Sequence, residues 1–74
     1  MTRVRLSASD RRAQLIEVGR TVFAKRGFEA TSVEEIADRA KVSKPIVYEH
    51  FGGKEGLYAV IVDREMEYVV RRIT

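Results

Sequence analysis

The sequence predicts an all-α fold: a bundle of three short helices followed by the start of a long fourth. Three observations lead there. Apolar residues recur at helical spacing along most of the 74-residue chain. Small polar residues stand where helices begin, at Ser9, Ser32 and Ser43, and glycines stand where they stop, at Gly27 and Gly52-Gly53. The single proline, Pro45, falls in the first turn of one of these helices, where a missing amide hydrogen costs nothing.

Residues 1–8 lack periodicity and carry Arg3 and Arg5, so they read as a flexible basic arm. Residues 9–53 form the next unit. Its first helix runs from Ser9 or Asp10 to Arg26, with Ser9 as cap and Leu15, Val18, Gly19, Val22 and Phe23 on one buried face. Gly27 ends it, and Phe28 tucks beneath it as a plug. Thr31 or Ser32 then caps the second helix, Ser32 and Glu35 standing at capping-box spacing, with Val33, Ile36, Ala37 and Ala40 turned inward. After a turn of about three residues, Ser43 opens the third helix. Val47 and Phe51 point inward with Val42, which leaves Lys44, Pro45, Tyr48 and Glu49 facing out. Residues 54–74 begin a fourth helix at Lys54, about 30 Å long if it continues to Thr74. The layout from Thr31 to Phe51 is that of a helix-turn-helix in a homeodomain-like bundle.

Composition narrows the function. The chain has no Cys, which excludes disulfides and cysteine-held zinc, and its one histidine, His50, makes no metal site alone. No cofactor is expected. The longest apolar run, Leu57 to Val62, is far short of the ~20 residues of a membrane span, and no secretory signal opens the chain, so the cytoplasm is the simplest location. Net charge is +3, unevenly placed: residues 1–54 hold eleven Lys+Arg against seven Asp+Glu, and 55–74 hold three against four. The basic end carries the motif.

Lys44 and Lys54 each open a helix, where the macrodipole disfavours a cation. An anion between them reverses the sign, and a helix N-terminus with free amides is already a phosphate site. Tyr48 shares the outer face of the third helix with Lys44; it can stack on a thymine methyl or donate to a phosphate, or half-bury against the first helix. Glu49 accepts from a cytosine amino group or orients Lys44. His50 is either a phosphate contact or a surface cap. Thr31 and Ser32 are explained as caps, a role compatible with donating to phosphate. Arg3 and Arg5 are either an inert tail or an arm for the minor groove. No paired acids or nucleophile–base set accompany His50, so the chain is not expected to be an enzyme.

The runs L-I-E-V-G-R-T-V-F-A-K-R-G-F, T-S-V-E-E-I-A-D-R-A, V-S-K-P-I-V-Y-E-H-F and G-G-K-E-G-L together resemble the DNA-binding domain of the tetracycline-repressor (TetR) family of bacterial transcriptional regulators, over about residues 11–62. The resemblance implies a repressor that binds a near-palindromic double-stranded operator as a homodimer. It also implies a C-terminal domain, absent from this sequence, that dimerises and binds a small-molecule effector which releases the DNA. By position it assigns Lys44, Pro45, Ile46, Tyr48 and Glu49 to the major groove, and Thr31, Ser32, Ser43, His50 and Lys54 to phosphates.

The sequence departs from the family at two places. Ile46 stands where a small polar residue is common, which favours a thymine-methyl contact over a hydrogen bond. Lys41 replaces the usual glycine after the second helix, at about 1 kcal/mol if it must be left-handed. The fourth helix is apolar on every side from Leu57 to Val62, as expected of a helix awaiting a further domain. A rival reading is a protein interaction module that docks through this helix, using the stripe Met66, Val69 and Ile73.

Overall fold

The computed structural model describes residues 7–73, with side chains described as far as Glu67. Four helices succeed one another: α1 (Ala8–Arg26), α2 (Val33–Ala40), α3 (Lys44–Phe51) and α4 (Lys54–Ile73). The α1 start differs from expectation. Ser7, not Ser9, is the cap, its hydroxyl accepting from the Asp10 amide at 3.0 Å, so Ala8 belongs to the helix and not to the arm. Ser7 and Asp10 have the cap-to-third-residue spacing with an acidic residue in the first turn, a local signal stronger than Ser9 has.

Ser32 caps α2 by accepting from the Glu35 amide at 3.1 Å. Val33, Ile36, Ala37 and Ala40 are all buried, as their spacing requires. Lys41 adopts φ 59°, ψ 44°, the left-handed conformation, and Val42 donates back to Ala37 at 3.0 Å. It is the one non-glycine with positive φ among the described residues. The turn that separates the two motif helices is thus built on a strained lysine.

Leu15, Ile36, Val47 and Leu57, one from each helix, are fully buried at the centre of the bundle. Ile16 also joins the core, widening the α1 face beyond the expected set, and Val18 is half-buried. Two glycines allow the fourth helix to close on the others. A Cβ on Gly19 would lie 2.7 Å from Leu57 Cδ2, and one on Gly56 would overlap the backbone carbonyl of Phe51. Phe28 is half-buried, stacked on Phe23 at 5.7 Å between centroids with Tyr58 against both rings, which makes it the expected plug. Among the described side chains α4 is covered on one side: Leu57 and Ile61 are buried, while Val62, Met66 and the part of Tyr58 not against Phe23 and Phe28 are exposed. The side chains of Val69 and Ile73 lie outside the described residues.

Candidate nucleic-acid interface

α3 has one fully buried side chain, Val47, and presents Lys44, Pro45, Tyr48 and Glu49 to solvent. The 3.6-residue period puts these four on one side of the helix, opposite Ile46, Val47, His50 and Phe51, which are buried or half-buried. Ile46 departs from the expected reading face: it is half-buried and packs against the core. Ser43 has the backbone of an N-cap but makes no side-chain cap hydrogen bond, so its hydroxyl is available beside the first amides of α3. Ser32 is exposed, and its hydroxyl hydrogen can still donate outward while the oxygen caps α2. His50 is half-buried beside Phe51 at the far end of α3. A groove of about 330 Å³, bordered by Ser32, Tyr48 and Gly53, lies where the N-termini of α2 and α4 meet the end of α3.

Two of the expected phosphate ligands are otherwise engaged. Thr31 is buried and its hydroxyl donates to the Gly27 carbonyl at 2.7 Å, which locks the loop between α1 and α2. Lys54 turns inward. Its ammonium donates to the carbonyls of Phe28 at 2.7 Å and Thr31 at 2.9 Å, more weakly to Glu29 at 3.4 Å, and sits 4.3 Å from the centre of the Phe28 ring. The unfavourable position at a helix start is offset by carbonyls of the α1–α2 loop.

Lys44 is paired as well, with Glu34 of α2 at 2.9 Å, and not with Glu49. That bond holds the Glu34 carboxyl below its ordinary value and the Lys44 ammonium above its own. Both side chains are exposed, so the pair contributes little to stability and breaking it to free Lys44 costs little.

Sequence reasoning missed Arg12, Gln14 and Glu34. Arg12 donates to the carbonyl of His50 at 3.0 Å, and Gln14 donates to that of Ala40 at 3.2 Å. A signal for Arg12 existed: Arg11 and Arg12 lie near the start of α1, where a cation is disfavoured unless acceptors from elsewhere reach it. Glu34 had none, because its partner is ten residues away on another helix. Arg3 and Arg5 lie outside the described residues. Among those residues no group of His, Asp and Glu is placed to hold a metal, and no helix is long and apolar enough to cross a membrane.

The profile of the family described as "Bacterial regulatory proteins, tetR family" matches residues 15–61. Among curated proteins, the chain is 44% identical over 66 residues to the HTH-type transcriptional activator FasR of Mycolicibacterium smegmatis, covering 89% of this chain and 30% of that one. It is 33% identical over 72 residues to the HTH-type transcriptional repressor KstR2 of Mycobacterium tuberculosis, covering 97% and 36%. Among solved structures, a TetR-like transcriptional regulator from Rhodococcus sp. RHA1 superposes with a TM-score of 0.82 at 37% identity, covering 90% of this chain and 37% of that one. The chain therefore spans about a third of the length of such relatives. On the profile match over well over half its length, the chain belongs to the bacterial regulatory proteins of the tetR family.

Proposed function

We propose that this chain is the sequence-specific DNA-binding head of a transcriptional regulator, with α3 reading the major groove. One observation carries the reading: Val47 ties α3 to the core while Lys44, Pro45, Tyr48 and Glu49 stand exposed together on its outer side. A two-turn helix with that division is the size that enters a major groove. Lys44, Pro45, Tyr48 and Glu49 face base edges, and Ile46 adds a methyl contact only where its half-buried side chain reaches the groove wall. Ser32, Ser43 and His50 hold phosphates, and Arg3 and Arg5 are proposed for the minor groove.

The parent protein is proposed to act as a homodimer on a near-palindromic operator in the cytoplasm, as a repressor that a small molecule releases. Similar proteins named as an activator and as repressors share this head, because the head decides where the protein sits on DNA and not whether transcription there rises or falls. A promoter assay of the parent reads the sign of regulation. The exposed side of α4 at Tyr58, Val62 and Met66 is compatible with packing against a further domain in the same molecule.

The test is selection from a random duplex library with wild type, Lys44→Ala and Tyr48→Ala. Each substitution changes the recovered motif at its own position and costs about 1–3 kcal/mol on the wild-type site. Recovery of one motif by all three proteins removes α3 as the reader.

A further inference from the structure

α3 is eight residues long and has one fully buried side chain, Val47. A helix of two turns has no stability of its own, so its rotation and tilt depend on the packing of Ile46, Val47 and Phe51 and on the ties at its ends. At the start, the tie is the exposed Lys44–Glu34 pair. At the finish, Gly52 donates to Tyr48 at 2.7 Å, and the next tie comes from α1: Arg12 Nη1 donates to the His50 carbonyl at 3.0 Å. The same guanidinium lies over the Phe51 ring, 4.6 Å from its centre. Arg12 is half-buried and makes no ion pair with a carboxylate among the described residues. Gln14, its amide oxygen held by Arg11, donates to the Ala40 carbonyl that ends α2. The first turns of α1 thus supply donors to the C-terminal carbonyls of both motif helices, the ends where a cation is electrostatically favoured.

We propose that Arg12 is a positioning residue for DNA reading: by holding the His50 carbonyl and the Phe51 ring it sets the angle at which α3 presents its outer face, without itself touching DNA. The proposal rests on α3 being the reader. Base contacts need side chains placed within about 0.5 Å, whereas phosphate contacts tolerate more. Loosening the tie therefore lowers discrimination more than general affinity.

The experiment compares wild type, Arg12→Gln and a charge-matched control, Lys25→Gln, whose side chain is exposed at the other end of α1. Affinities are measured for the duplex selected by wild type and for a scrambled duplex of equal composition, over a series of salt concentrations, with a thermal melt for each protein. Arg12→Gln is expected to lose about tenfold in preference for the selected duplex, to keep the salt slope of the control, and to speed hydrogen exchange in α3. A wild-type preference overturns the proposal. So does a salt slope about 0.9 smaller than the control's, which would make Arg12 a phosphate ligand. If Arg12→Gln does not fold, Arg12→Lys decides, since one ammonium replaces a fork that spans carbonyl and ring. A preference lowered several-fold at an intact melt supports the proposal, and an unchanged preference overturns it. Absence of any preference in the wild type would remove the DNA-reading function itself, and with it this role.

Discussion

Lys54→Met separates a structural lysine from a DNA ligand. The substitution keeps an apolar stem over Phe28 and removes the ammonium that donates to the Phe28 carbonyl at 2.7 Å and the Thr31 carbonyl at 2.9 Å. A hydrogen bond from a charged donor contributes about 1.5–3 kcal/mol, with the low end fitting this half-buried site. The contact to Glu29 at 3.4 Å adds little. Two good bonds at the low end, less the water the carbonyls regain, leave a loss of about 2–3 kcal/mol. For a domain of this size that lowers the midpoint of thermal unfolding by roughly 10–20 °C, which a circular-dichroism melt reads directly. Below that midpoint the folded protein should bind DNA with an unchanged dependence on salt. A midpoint within a few degrees of wild type, together with a salt slope reduced by about 0.9, would refute the clamp and return Lys54 to the phosphates.

Gly56→Ala tests the corner between α3 and α4: the substitution should gain about 1 kcal/mol of helix propensity, yet lose more than that, by about 2–3 kcal/mol net, because its Cβ overlaps the Phe51 carbonyl. A urea melt at or above the wild-type midpoint would show that the corner adapts. Lys41→Gly should stabilise by about 0.5–1 kcal/mol, since glycine takes φ 59° without strain, and a lower melting temperature would place the strain elsewhere. Glu34→Gln addresses pH. The Glu34 carboxyl is held below its ordinary 4.5 by Lys44, so its contribution is present above that value and lost as pH falls through the lowered one; the variant should lose less stability over that acid range. Carboxyl titration by NMR checks the direction, and an ordinary or raised value for Glu34 would break the pairing.

The sequence by itself determined the helices. Caps, glycine stops and apolar spacing act over three or four residues, so Ser32, Gly27 and the α2 face were legible before any packing was known, whereas the left-handed Lys41 was suggested only by the family resemblance. The α1 start falls two residues from its expected place: Ser9 is the expected cap, but Ser7 caps the helix by accepting from the Asp10 amide. The exposure of Lys44, Pro45, Tyr48 and Glu49 on α3 was also legible, but Ile46, assigned to the same face through the resemblance, is half-buried against the core.

Only the tertiary structure decided where the long cations and the threonine hydroxyl go. Lys54 reaches carbonyls up to 26 residues earlier, Lys44 a carboxylate ten residues earlier, and Arg12 a carbonyl 38 residues later. A flexible side chain several ångströms long bonds to whichever acceptor the packing of other elements brings within reach, and nothing in the local sequence encodes that acceptor. Thr31 obeys the same rule at short range: burial of the α1–α2 loop leaves its hydroxyl the Gly27 carbonyl and removes it from solvent. The local pattern thus set which side chains of α3 are exposed, and the packing set which long side chains are already engaged.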